Sequence, residues 1–558
     1  MTKNKIAHLI FFLGVLAIAN TSCKKQLQVG DPNDPTVAGN VNNETGLLAL
    51  GAGGVYINGF TNGDAWLGNS YFSLPYGYME LMADNVGADA SNNQITTVGY
   101  PTYFIHDNGT KVVNNSPSIS ILRSYNVLGG SGNNPMYFQW QNMYALNAAC
   151  NEILNIAPTI KLSGDATSRL NTIKAWCYFW KGYAYGQIGT IYYSGLIQDD
   201  PANKVNSHYV PKDSILLRSN YYLNLAASTI TAITSTSDYS TVLGQLIPAA
   251  CQVDHGGVPS ATEWQHNINT LLARNIILNK LSPFVNGDPN ATIAKSSTGN
   301  MTTADWNQVL TLATNGIQQG DIVFSATSTA TNTIFTATGG NAAAETTGGN
   351  ISSTFKISVR YVANFKAGDK RLAQNFRYGS IYNNAFYGTP YNIVDSLQQS
   401  VTGVYVLGNK LVGQYEVYIG GSYEENALML AEANIRLGNI ATGLGFVDAE
   451  RDYQGAGVAH VAGTVTTLAG AMKEVTSERR AALIYRGLSF YDARRWGWIY
   501  DISNGGGQYG QMLYNSTGTW DTNVTVNYNF MDYWDIPADE TQLNPPDASS
   551  SPILNPNY

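Results

Sequence analysis

Apolar residues recur at helical spacing in five stretches of the chain, and long polar segments separate them. Residues 138–154 place Trp140, Met143, Tyr144, Cys150 and Leu154 near one stripe, as an amphipathic helix requires. Residues 172–188 are apolar nearly all round and predict a buried helix. Residues 264–280 and 306–319 each open on a tryptophan followed by Leu, Ile and Ala, and residues 423–438 repeat the theme. Gly438-Asn439 then supplies a stop signal. Ala and Gly at close-approach positions let such helices pack in pairs, which predicts a mostly α fold, a degenerate tetratricopeptide-like array. The polar segments 86–131, 286–304 and 325–353 read as long irregular loops, which in folded chains usually carry function. Within the last of them, residues 326–333 and 339–349 are low in complexity and read as a mobile loop.

The N-terminus has a different pattern. Lys3 and Lys5 precede an apolar run over residues 9–18. That run falls short of the roughly 20 residues a membrane-spanning helix needs, so it reads as an export signal. Ala19-Asn20-Thr21-Ser22 leads into Cys23, the arrangement a bacterial lipoprotein signal peptidase cuts before the cysteine is acylated. An ordinary secretory signal with an incidental cysteine is the alternative, and Asn20 stands where leucine is usual. Residues 1–22 are thus expected to be a signal peptide, Cys23 the lipidation site, and residues 24–40, rich in Gly, Asp, Asn and Pro, a stalk reaching about 20–25 Å. Each buried methylene adds about 0.8 kcal/mol, so two acyl chains anchor a protein stably where one does not. Beyond residue 23 there is no run of 18 apolar residues.

Composition narrows the ligand chemistry. Of 558 residues 44% are hydrophobic but only 13% are charged, against about 25% in a typical soluble domain. Polarity therefore rests on amides, hydroxyls and 36 tyrosines, joined by 10 tryptophans. Such a surface suits neutral, hydroxyl-rich ligands, because Tyr and Trp present an apolar face with a polar handle. The net charge is −8, and removal of Lys3 and Lys5 takes it to −10, which argues against nucleic acid as a partner. A chain of this length calls for two domains or a large helical assembly around more than one core. Cys150, Cys177 and Cys251 contain no C-x-x-C; they read as three buried thiols, with one disulfide and one thiol as the alternative.

The C-terminal region carries the family resemblance. Glu478-Arg479-Arg480, then Asp492-Ala493-Arg494-Arg495-Trp496-Gly497, resembles the C-terminal motif of the SusD/RagB family. The ending resembles that family too, with Ile536-Pro537, Glu540 and Asn544-Pro545, then Asn555-Pro556-Asn557-Tyr558. Colinear matches lie upstream in the aromatic helix at 175–185, the Trp264 helix, the Gly368-Asp369-Lys370-Arg371-Leu372 turn and the helix from Tyr423. The resemblance implies one SusD-like domain over residues 41–558, a helical superhelix with tetratricopeptide-like pairs and loops that carry the ligand surface, its motif region at about 423–558. It also implies a surface lipoprotein of the outer membrane of a Bacteroidota-type bacterium. Such a protein delivers oligosaccharides, or in RagB-type members peptides, to a SusC-like TonB-dependent transporter. Lys24 and Lys25 depart from the acidic residues that often follow the lipid cysteine in surface-displayed lipoproteins. The arginines of the motif, with Glu478 and Asp492, suit bidentate ion pairs and stacking on Tyr491 and Trp496, a structural clamp.

Ligand candidates are aromatics in polar loops, since a pyranose ring offers C–H groups to a flat ring and hydroxyls to amides. They are Trp66, Tyr71, Tyr100, Tyr103, and the cluster Tyr382, Phe386, Tyr387 and Tyr391 interleaved with Asn383, Asn384 and Asn392. Asp84 joins them through the resemblance, with helix capping as its other reading. A surface glycoside hydrolase needs two carboxyl groups about 5–5.5 or 6.5–9.5 Å apart; Glu80 and Asp84, at i and i+4, would share a helix face, a spacing that a solvated pair explains as well. The histidines show no metal-binding spacing, and there is no G-x-S-x-G and no P-loop. The expectation is a binding protein without catalytic residues, cofactor or metal, although the acidic run 84–89 leaves room for calcium. A tetratricopeptide scaffold binding only protein is the third reading.

Overall fold

The computed structural model describes residues 41–56, 77–88, 98–129, 134–202, 204–327, 355–378, 391–393, 401–408, 416–515 and 517–558. Local chemistry explains where the main helices begin. In α1 (Pro135–Ile156) the Asn134 side chain accepts from the N–H groups of Met136 and Tyr137, with proline at the first helical position. Asp165 caps α2 (Ala166–Ile191) in the same way, and α3 (Lys212–Thr231) packs along it. Capping boxes start α4 (Ala261–Ile277), from Ser260 and Glu263, and α5 (Thr303–Thr314), from Thr302 and Asp305. Ser422 caps α6 (Tyr423–Arg436), which stops before Gly438 at φ +90°, and α7 (Ile440–Tyr453) follows at once. Next come α8 (Leu468–Ala482) and the short α9 (Ser489–Arg495).

The helices pack as neighbours: α2 with α1 and α3, α4 with α5, and α6 with α7 and α8. The α2–α3 contact is close because of glycine. A Cβ on Gly182 would meet Leu223 Cγ at 2.7 Å, and one on Gly189 would meet Leu216 Cγ at 2.9 Å. Trp176, Trp180 and Phe179 of α2 and Trp264 of α4 gather around Phe324, with ring centroids 4.7–6.0 Å apart. The buried apolar residues form one contiguous cluster running from Val41 to Ile536. A single core, not two, therefore organises the described residues. Cys150, Cys177 and Cys251 are buried free thiols. No helix among the described residues is long and apolar enough to cross a membrane.

The arginine clamp exists, but with other partners than adjacency in sequence suggested. Arg495, fully buried, bonds both oxygens of Glu432 at 2.8 and 2.6 Å and Asp492 at 2.7 Å, and stacks on Trp496. Arg479 pairs with Asp492 at 3.0 Å. Glu478 turns instead to Arg371 and Arg451, at 2.6 Å each. Burial alone would raise its carboxyl, but those two guanidinium groups hold it at about 2. Arg494 caps the carbonyls of Thr190, Leu278 and Asp532 and lies over Tyr491 and Tyr533. In this way the motif ties α9 to α2, α4, α6 and the chain's end.

The polar segment 86–131, expected to be irregular, holds strands and a helix. There are two four-stranded sheets among the described residues. One has the order β1-β4-β6-β5, from β1 (Val86–Ala88), β4 (Phe355–Ile357), β5 (Phe376–Tyr378) and β6 (Tyr391–Ile393). The other has the order β7-β8-β2-β3, from β2 (Tyr103–Ile105), β3 (Lys111–Val113), β7 (Gln508–Tyr514) and β8 (Trp520–Asn527). All pairings are antiparallel. These strands supply the non-helical surface on which the site is built.

Candidate functional site: an aromatic cleft beside the β7–β8 hairpin

A cleft of about 430 Å³ opens between strand β7, helix α8, the 284–287 turn and the segment 360–364. A regular strand sends alternate side chains to one face, yet Tyr509, Gly510, Gln511 and Met512 all border the cleft. A bulge makes this possible. Tyr509 pairs with Thr525 and Gln511 with Val524, so Gly510 is the extra residue, at φ +69°. Tyr509 and Met512 are exposed there. Across from them the Trp498 indole N–H donates to the Phe284 backbone carbonyl at 2.7 Å, which fixes Trp498 against the 284–287 turn in the cleft wall. The Tyr509 N–H donates to Asn286 Oδ1 at 2.6 Å, tying turn to strand. Asn286, Asn364, Gln508, Gln511, Thr476 and Ser477 add amides and hydroxyls to the lining.

A second aromatic group lies at the other end of the hairpin, where the two sheets meet. Tyr378 Oη lies 2.9 Å from Tyr514 Oη, and that bond, followed by burial, pushes the Tyr378 hydroxyl up to about 12. Tyr378 makes an edge contact with Tyr391 at 5.5 Å, and Tyr514 one with Trp520 at 4.7 Å. Tyr378 and Trp520 are 49% and 42% exposed, so both rings offer area to a ligand.

Among the residues singled out from sequence, Tyr391 joins this group, and Tyr103, half-buried on β2, lies under Lys111 Nζ at 4.0 Å from its ring centroid. Burial, with Asp501 and Tyr509 nearby, raises the Tyr103 hydroxyl. Tyr100 is buried. Cys23, Trp66, Tyr71, Tyr382, Phe386 and Tyr387 lie outside the described residues, as does Asp89 of the acidic run.

Asp84 is not at the ligand-facing surface. It is buried, at φ +60°, with both carboxylate oxygens on Arg360, so its role here is to hold the segment behind the cleft. The helix bearing Glu80, Gly77–Met82, ends before Asp84, so the two do not share a helix face. Glu80 is fully buried and accepts from Asn85, the Tyr485 N–H and Ser489. Neither carboxyl is open to a substrate. Among the described residues no three His, Cys, Asp or Glu side chains stand where they could hold a metal ion.

Sequence reasoning missed Tyr509, Trp498, Phe284 and Trp520. A readable signal was present for two of them: residues 508–514 and 520–527 are strand-like runs around Asn515-Ser516-Thr517-Gly518-Thr519, a hairpin pattern.

No family model matches the chain, and no curated protein matches it in sequence. Solved structures do. A SusD superfamily protein from Bacteroides vulgatus superposes with a TM-score of 0.52 at 15% identity, over 92% of this chain and 98% of its own. A SusD-like protein from Bacteroides fragilis gives 0.55 at 11% identity, over 95% and 99%. The chain has the SusD-like fold. Another protein of similar structure, solved with a xylogluco-oligosaccharide, gives 0.52 at 14% identity, over 91% and 99%. The SusD-like fold accounts for the near-complete, end-to-end coverage that the colinear motifs suggested.

Proposed function

We propose that this protein is a non-catalytic glycan-capture lipoprotein that binds oligosaccharides in the cleft beside β7 and passes them to a SusC-like TonB-dependent transporter. One observation carries the reading: Tyr509, Trp498 and Phe284 border one cleft with four side-chain amides. Ring faces take sugar C–H groups while amides take hydroxyls, the division of labour a saccharide demands. The protein of similar structure solved with a xylogluco-oligosaccharide supports this ligand class. Cys23 behind an export-type segment supports a lipid anchor at the outer membrane, and tethering there would keep a captured chain next to a transporter.

The test is calorimetric titration of the soluble form, Lys24 to Tyr558, with a panel of oligosaccharides, with unstructured peptides alongside. Binding without sugar release is expected, and Tyr509→Ala should weaken it about tenfold, equivalent to the roughly 1.4 kcal/mol of a stacked ring. Peptide binding with silence toward every saccharide would assign a RagB-type peptide role instead. Sugar release would show an enzyme.

A further inference from the structure

The charge in the cleft runs against the charge of the chain. The protein carries 39 Asp and Glu against 31 Lys and Arg. Yet the residues lining the cleft include Arg360, Lys473 and Arg480, and no carboxylate. Asp84 cancels Arg360 from behind. Arg480 makes no direct ion pair among the described residues, although Asp84, already bonded to Arg360, is near enough to act on it. Its guanidinium donates to neutral acceptors, Asn85 Oδ1 at 2.9 and 3.1 Å and Asp84 O at 2.9 Å, and sits 5.5 Å from the Trp498 ring centroid. Lys473, exposed on α8, forms no ion pair among the described residues. Asp288, just past the rim, accepts from the Asn290 N–H at 2.8 Å. Two positive charges thus border a cleft that also presents ring faces and amides.

We propose that the cleft takes an acidic saccharide, with a uronate or sulfate group against Arg480 and Lys473 and the sugar rings against Tyr509 and Trp498. This rests on the glycan-capture reading above and names its ligand class. An anion is the partner such a place lacks, because hydrogen bonds to a charged group are worth about twice those between neutral groups. A sugar supplies the apolar ring face that free phosphate or sulfate does not. A flexible acidic peptide would satisfy the cations but leave the rings and amides without a matched partner.

The experiment titrates the same soluble form with a galacturonate hexasaccharide and its methyl ester, a sulfated oligosaccharide and its desulfated form, and a glutamate hexapeptide. The acidic member of at least one saccharide pair should bind about tenfold tighter than its neutral partner, and its affinity should fall with salt. Which pair responds distinguishes uronate from sulfate. Lys473→Met, at an exposed position, should lower that preference about threefold with an unchanged melting temperature. Arg480→Gln should remove most of it, and Lys473→Met keeps the test informative if the buried Arg480 variant fails to fold. Equal binding of acidic and neutral members, unmoved by Lys473→Met, overturns the acidic specificity and leaves glycan capture standing. Tighter binding of the hexapeptide overturns the saccharide assignment, and silence toward every saccharide overturns both readings.

Discussion

Glu80 should make the stability of this protein fall as pH rises through neutrality. Its carboxyl is fully buried, with Oε2 accepting from Asn85 Nδ2 at 2.8 Å and Oε1 from the Tyr485 N–H at 2.8 Å and Ser489 Oγ at 3.0 Å. The nearest cation, Arg480, spends its N–H groups on Asn85 and backbone carbonyls. Burial outweighs the three hydrogen bonds and pushes the group from 4.5 up to about 7. In the unfolded chain Glu80 loses its proton near 4.5, while the folded protein retains it until about 7. Across that window the native state binds more protons, so stability is fully present below about 4.5 and lost as pH climbs through about 7. At 1.36 kcal/mol per pH unit the loss amounts to about 3 kcal/mol. Urea unfolding followed by tryptophan fluorescence from pH 4.5 to 8, on the native chain and on Glu80→Gln, isolates this contribution, because glutamine does not titrate. The stability difference between the two should shrink or reverse by about 3 kcal/mol in favour of Glu80→Gln as pH rises. Parallel curves would refute the reasoning, since they would mean that Glu80 ionises alike in folded and unfolded chains.

Other outcomes follow from the same geometry. Among the described residues, Arg495→Met leaves the buried Glu432 with only Arg436 at 3.9 Å and Asp492 with only Arg479 at 3.0 Å, and should cost about 3–5 kcal/mol, read as a lower urea midpoint. Gly510→Ala has room, the nearest atom being Thr522 O at 4.0 Å, but φ +69° penalises any Cβ by about 1–2 kcal/mol. Calorimetry should therefore show weaker saccharide binding in this variant, because the bulge that lines up Tyr509 and Met512 is what the substitution strains.

The helical scaffold was legible because its causes are local. Asn134, Asp165, Ser260, Thr302 and Ser422 each cap a helix within three residues of the side chain, and the tryptophan-led apolar stripes follow from 3.6-residue periodicity. The C-terminal motif was legible as a structural clamp, since four clustered arginines in an acidic chain need internal partners. Those partners could not be read along the chain. Glu432 lies 63 residues from Arg495, and Glu478 faces Arg371, 107 residues away, in preference to its neighbours. The site depends on still longer reach. Tyr509 meets the turn at Asn286 across 223 residues, and Tyr378 meets Tyr514 across 136.

Asp84 shows the limit most clearly, because in sequence it closes a helix-like run, whereas in space Arg360 arrives from 276 residues away and buries it. The amino-acid sequence by itself determined the helical character of the tryptophan-rich stretches and a polarity resting on amides, hydroxyls and tyrosines instead of charge. Only the tertiary structure decided which aromatics share a cleft and which charges remain uncancelled there. Burial and ion pairing depend on what packs from distant parts of the chain, and no local pattern records that.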